Sequence, residues 1–200
     1  MSNRFLVALI VLLAGLLVGL GLFWKPDLAP APASINTLPP GGDFVLKSAD
    51  GPVALADHRG RLALLYFGYT FCPDICPSNL SAISAGLDLL NPEERNKVVV
   101  IFISVDPQRD TPEHLKTYVK FFAPEMLGVT GTPDEIAELA RRYGVVYAAQ
   151  PASNAAEGYA IDHSAESFIV GPDGRLLARM AHATPPDQVA ALIRQYLKPS

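Results

Sequence analysis

The chain has 200 residues, with 16 Lys and Arg against 20 Asp and Glu, a formal net charge of -4, and 50% hydrophobic residues. The basic residues are scattered along the chain, so no stripe attracts a phosphate backbone and nucleic acid is excluded as a partner. With the apolar N-terminus and the proline-rich stretch behind it set aside, about 160 residues remain, which suits one compact domain with its own core.

The first element is FLVALIVLLAGLLVGLGLFW, Phe5 to Trp24, twenty residues without a charge. At ~1.5 Å per helical residue it covers a ~30 Å hydrocarbon layer. Arg4 and the free amine precede it, Lys25 follows it, and Trp24 sits where an interfacial aromatic belongs. These features favour a single-pass anchor with a cytoplasmic N-terminus. The alternative is a signal peptide cut near Ala31-Pro32-Ala33, which the run's length and its distance from that site disfavour. In either case the rest of the chain lies outside the cytoplasm, where a cysteine pair oxidises unless it is kept reduced or metal-bound. Lys25 to Gly42 holds five prolines (Pro26, Pro30, Pro32, Pro39 and Pro40) and reads as a semi-extended tether. The expected organisation is therefore an anchor over 1–24, a linker over 25–42 and a globular domain over 43–200.

Within that domain, FVLKSADGPVAL (44–55) predicts two short strands around the Asp50-Gly51 turn. RLALLYFGY (61–69) and KVVVIFISV (97–105) are apolar runs of buried-strand length. Between them Leu80, Ile83, Leu87 and Leu90 recur with helical spacing, and the helix ends near Asn91-Pro92. Asp110-Thr111-Pro112-Glu113 opens a helix with Leu115, Tyr118, Val119 and Phe122 inward, and Thr132-Pro133-Asp134-Glu135 opens another that runs to Tyr143. GVVYAAQ predicts a strand, ESFIVGPDGRLLARM a hairpin around Asp173-Gly174, and 185–197 a closing helix. This order implies an α/β domain: a mixed central sheet with helices on both faces, plus an N-terminal hairpin. Ligands in such sheets meet the loops at the carboxyl ends of strands.

Both cysteines lie in one such loop, FGYTFCPDICPSN, 67–79. Cys72 and Cys76 are spaced i, i+4, so a helical turn brings their Cβ atoms to roughly 5–6 Å, within reach of a disulfide or a shared metal. Pro73 and Pro77 lack N–H groups and belong in a loop or a first helical turn, which places the sulfurs near a helix N-terminus. There the dipole favours the thiolate, the form that binds soft metal and attacks disulfides. A purely structural disulfide would close too small a loop to stabilise much.

Thiolates select ions such as Cu(I) and Zn(II), and imidazole suits the same ions, so a third ligand is sought among four histidines. His58 in a polar turn, His114 on an exposed helix face and His182 after the last strand read as solvated residues. His163 stands in the loop YAIDHSAES before the strand SFIV, where Asp162, Ser164 and Glu166 can orient a ring nitrogen. Position alone leaves it open whether His163 is structural or ligating. Two cysteines and one histidine leave a coordination position unfilled, which suits a transfer site or a catalytic zinc.

YFGYTFCPDICP (66–77), SVDPQRDTPEHLKTYVKFF (104–122), GVTGTPDEI (128–136) and IDHSAESFIVGPDG (161–174), in this order, resemble the Sco/SenC family. These are membrane-anchored copper-binding proteins with a thioredoxin-like fold, and the resemblance spans about Gly41 to Lys198. It implies that Cys72, Cys76 and His163 are the ligands of copper, as Cu(I) and as Cu(II). It further implies a metallochaperone acting on the copper-bearing subunit of cytochrome c oxidase, served by a copper donor protein, with its domain in the bacterial periplasm. The alternative activity is thiol-disulfide exchange, the pair reducing that subunit's cysteines; a peroxidase is a third and weaker reading. Asp74 and Asp162 beside the ligands read as loop acids or as groups tuning the site, and Asp106, Arg109 and Asp110 as a surface or loop-fixing pair with its neighbour. Tyr66, Phe67, Tyr69 and Phe71 read as core and pocket wall, with Tyr69 and Phe71 also available to a docking partner.

Overall fold

The structure, a computed structural model, describes residues 38–151 and 158–198 together with isolated helical positions before residue 20. The chain divides into Met1–Thr37 and Leu38–Ser200, and the fold described is that of the second unit. The predicted anchor over 5–24 and the linker up to Thr37 lie, isolated positions apart, outside the described residues. Among the described residues no helix is long and apolar enough to cross a membrane.

Strands β1 (Val45–Ser48) and β2 (Gly51–Ala54) form the expected N-terminal hairpin. Lys47 and Thr130 exchange backbone hydrogen bonds of 2.8 and 3.0 Å, which fastens this hairpin to the domain. The central sheet contains β3 (Leu62–Gly68), β4 (Val98–Ser104), β5 (Leu127–Val129), β8 (Ser167–Val170) and β9 (Leu176–Met180) in the order β5-β4-β3-β8-β9. β3 is parallel to β4 and antiparallel to β8, so the sheet is mixed as expected. Every residue of β3 and β4 is buried, which explains why these strands read as unbroken apolar runs: both of their faces are covered.

Helices α1 (Ile75–Asp88), α3 (Pro112–Lys120) and α5 (Pro186–Leu197) cover the face that carries Tyr66 and Phe102. The Tyr66 hydroxyl meets Cys76 of α1, Tyr118 of α3 lies 5.6 Å from the Phe102 ring, and Val189 of α5 packs against Gly86 of α1. Helix α4 (Pro133–Tyr143) covers the other face, with the Tyr143 ring 5.7 Å from Phe67 and 5.5 Å from Phe168. Leu80, Ile83 and Leu87 form the buried stripe of α1 as their spacing predicts. Thr111 and Thr132 cap α3 and α4, the latter in a reciprocal capping box with Glu135, and Pro occupies the first turn of both. A short α2 (Pro92–Asn96), capped by Asn91, follows α1.

Two features depart from expectation. The GVVYAAQ strand, here β6 (Tyr147–Pro151), does not join the central sheet; it pairs with β7 (Tyr159–His163) in a separate two-stranded sheet. His163 is therefore the last residue of a strand, opposite Tyr147, where the sequence suggests a loop. The strand is concealed because its partner lies outside the main sheet and only Ile161 among its residues is buried, so no apolar alternation marks it.

Candidate metal centre

The cysteine loop leaves the carboxyl end of β3 and turns into α1, the place where α/β sheets gather ligands. Pro73 stays outside the helix and Pro77 falls in its first turn, where no intrahelical partner for its nitrogen is needed. Asp74, the residue before α1, gives its backbone carbonyl to Ser78 N–H at 3.0 Å, and its carboxylate accepts from the Ser78 hydroxyl instead of capping the helix. The cap is supplied by sulfur: Cys76 N–H donates to Cys72 Sγ at 3.4 Å. Cys72 thus stands in the bend before α1 and Cys76 in its first turn, side by side and with no disulfide between them.

Gly68, at the end of β3, makes room for this turn. A Cβ there would stand 2.6 Å from Cys76 Sγ and 2.9 Å from the Phe102 ring. Cys76 is fully enclosed at 0% exposure, whereas Cys72 keeps 9% and is the sulfur that an incoming group reaches first.

The third donor arrives from the separate hairpin. His163 Nδ1 lies 3.0 Å from the Ser164 carbonyl oxygen. Only a protonated nitrogen can donate to a carbonyl, so this contact leaves the lone pair on Nε2. Nε2 stands 3.2 Å from Cys76 Sγ. Tyr66 and Tyr69 hold the imidazole between ring edges, with centroids 6.2 and 5.9 Å away. The Tyr66 hydroxyl reaches Cys76 Sγ at 3.7 Å, and the Tyr69 hydroxyl accepts the Ile161 N–H of β7 at 3.2 Å. The two sulfurs and one ring nitrogen all lie within 4.8 Å of one another, which fits a single soft ion with an open position.

Hydrogen bonding splits the two thiols. The bond from the Cys76 thiol draws the Cys72 pKa well below the ordinary thiol value; burial opposes this, while the amides of Cys76 and Asp74 add to it. The same bond, then burial and the Cys72 charge, push Cys76 up. The pair thus holds one proton between its two sulfurs. Burial also raises Tyr66, which keeps its hydroxyl protonated and able to donate to sulfur.

The acids after β4 fix the loop from beneath and are not at the surface. Asp110, fully buried, accepts from Thr70 N–H at 3.0 Å, Thr70 Oγ1 at 2.5 Å and Ser104 Oγ at 2.6 Å. Asp106, also buried, pairs with Arg109 at 2.5 Å and accepts the Tyr159 hydroxyl at 2.6 Å. His114 is exposed as expected, yet its Nε2 lies 2.9 Å from Thr70 Oγ1. His58 lies in a short 3-10 turn and His182 in an exposed turn after β9. Asp162 is exposed, and Glu166 pairs with Arg179 at 3.2 Å, so neither acid holds the His163 ring; a backbone carbonyl does. Tyr66 and Tyr69, expected as core and pocket wall, form the wall around the His163 ring, and period-two alternation along β3 places Tyr66 and Gly68 on one face.

Fold and site together define a class: a thioredoxin-like α/β domain with a convergent pair of thiols and an imidazole at the end of a central strand. The chain belongs to the SCO1/SenC family, whose family model matches residues 33–198. It is 34% identical over 178 residues to a SCO2-like protein of Rickettsia prowazekii, covering 84% of this chain and 86% of that protein. It is 35% identical over 161 residues to the human mitochondrial SCO1 homolog, covering 80% of this chain and 53% of that protein. Among solved structures, Bradyrhizobium japonicum ScoI with copper bound superposes with a TM-score of 0.71 at 37% identity, covering 78% of this chain and 99% of that one.

Proposed function

We propose that this chain is a copper metallochaperone that helps to assemble the dinuclear copper centre of cytochrome c oxidase. Cys72, Cys76 and His163 would hold the ion, and the residues from Phe5 to Trp24 would anchor the domain to the bacterial inner membrane on its periplasmic side. The observation that carries the reading is the convergence of two sulfurs and a lone-pair-bearing Nε2 within 4.8 Å. Membership of the SCO1/SenC family and likeness to a copper-bound relative support the choice of copper over zinc. Copper is cargo in this reading: Cys72, the more exposed sulfur, offers the edge at which a partner's thiolate displaces a ligand.

A second reading has its own observation. A depressed thiolate beside a protonated thiol is the arrangement of a disulfide reductase. Cys72 sulfur attacks a partner disulfide and releases one partner thiolate. Cys76, losing its proton to that thiolate, then attacks the mixed disulfide and frees the second partner sulfur as a thiolate, which takes its proton from water. The partner gains two electrons and this pair becomes a disulfide.

Copper titration of the reduced full chain in detergent tests the first reading. Cu(II) is expected to give a sulfur-to-copper charge-transfer absorption that His163→Ala weakens or loses, with affinity reduced at least about tenfold. Cys72→Ser is expected to lose the band. An unchanged spectrum and affinity in His163→Ala would refute the three-donor site. Thiol reduction that survives in His163→Ala while copper delivery fails would separate the two activities.

A further inference from the structure

The hairpin that carries His163 shares no ladder with the sheet that carries the cysteines, because β6 and β7 pair only with each other. The position of Nε2 over the sulfurs therefore depends on the three-residue connection from His163 to β8, whose Ser167 pairs with Tyr66 of β3, and on side-chain links between the hairpin and the loops at the ends of β3 and β4. Beside the Tyr69 hydroxyl, which accepts the Ile161 N–H, several of those links gather around one residue. The Arg109 guanidinium lies 3.7 Å from the Tyr159 ring centroid of β7. It lies 4.8 Å from the ring centroid of Phe71, the residue before Cys72. It also lies 5.6 Å from Tyr69, whose ring borders His163. Its Nη1 donates to the Tyr159 carbonyl at 2.8 Å, and buried Asp106 holds both partners, accepting from Arg109 Nε and from the Tyr159 hydroxyl.

Deepening the copper reading, on which it rests, we infer that Arg109 is a positioning residue: it rivets the hairpin of His163 to the cysteine loop and so sets the third donor on the metal. A planar, delocalised cation is required for this. It can stack on aromatic rings while its edge donates to a carboxylate and a carbonyl, whereas a lysine ammonium is a point charge without a stacking face. Among the described residues Arg109 contacts the hairpin at Tyr159 and the cysteine loop at Tyr69 and Phe71, and the imidazole is the donor that the hairpin carries.

Two variants attack the link from opposite sides: Arg109→Lys, which keeps the charge beside Asp106, and Tyr159→Leu, which leaves the Arg109–Asp106 pair intact. The probe is Cu(II) alone, added to the reduced full chain in detergent. The readouts are the nitrogen coupling of the bound imidazole in the electron paramagnetic resonance spectrum and, without metal, amide hydrogen exchange over Tyr147–His163. Wild type is expected to show nitrogen coupling that His163→Ala removes. Both link variants are expected to lose or weaken it, to bind copper about 10-fold to 100-fold less tightly, and to exchange faster in the hairpin while α1 keeps its protection. The double variant is expected to be no worse than the more affected single one, as for two residues in one link. Coupling and hairpin protection retained in a folded link variant would overturn the inference; should Arg109→Lys not fold, Tyr159→Leu decides. Coupling that persists in His163→Ala would instead refute the three-donor site and leave the link without its role.

Discussion

At the scale of single residues, the site is made by what is missing as much as by what is present. Gly68 has no Cβ, and the space it leaves is taken by Cys76 Sγ and the Phe102 edge. Neither neighbour can retreat, since Cys76 and Phe102 are both wholly buried. Gly68→Ala should therefore destabilise the metal-free protein by about 1–3 kcal/mol, the cost of overpacking a filled core. It should also displace Cys76 and weaken Cu(I) binding in competition with a chromogenic chelator, a double effect that a purely structural glycine would not show. Unaltered Cu(I) affinity would mean that α1 absorbs the methyl without moving the sulfur. The two sulfurs could be read from the sequence because i, i+4 spacing and flanking prolines are local facts. His163 could not be chosen over the other histidines in this way: its tautomer is set by a backbone carbonyl and its neighbours are Tyr66 and Tyr69, about ninety residues away in the chain. Only the family resemblance singled it out.

At the scale of elements, buried acids connect pieces that the hydrophobic pattern merely lays side by side. Asp110 looks in the sequence like a helix cap, but Thr111 takes that role for α3 and frees the Asp110 carboxylate to join the end of β4 to the cysteine loop through Ser104 and Thr70. Asp110→Ala leaves three donors without an acceptor in a buried place, so a loss of about 3–5 kcal/mol is expected. Thr132→Ala removes one exposed cap from α4 and should cost only about 1 kcal/mol. Chemical denaturation of the two variants checks the ranking, and a smaller loss for Asp110→Ala would mean that water replaces its oxygens. The same contrast explains which elements were legible. β3 and β4 announce themselves by unbroken apolar runs, and α3 and α4 by Thr-Pro openings followed by helical spacing. β5 has three residues, too few for a pattern, and β7 is defined by its partner β6 instead of by burial.

At the scale of the whole molecule, the coupling of the thiols sets how stability follows pH. In the native, reduced, metal-free state the pair keeps one proton, Cys72 being drawn down by the bond from Cys76 and Cys76 pushed up by the bond to Cys72. In the unfolded chain both thiols titrate near the ordinary value of about 8.5. Below that pH the unfolded pair carries two protons against one in the native state, so stability rises with pH. Above it the unfolded pair carries none while the native pair still holds one, so stability falls. The contribution of the pair therefore peaks near the ordinary thiol pKa, well apart from the acid range in which Glu94, lowered by its bond from Arg194, and Glu135, lowered by the Thr132 amide, are titrated. Urea midpoints followed by circular dichroism between pH 6 and 10, in reductant and chelator, should give a bell-shaped difference between wild type and the Cys72→Ser/Cys76→Ser double variant. A difference that rises and then levels off above the ordinary thiol pKa would mean that Cys76 ionises in the native state and that the two sulfurs do not share a proton. The sharing matters for both proposed activities: it keeps one thiolate ready at neutral pH to meet an ion or a disulfide, and withholds the second until the first has a partner.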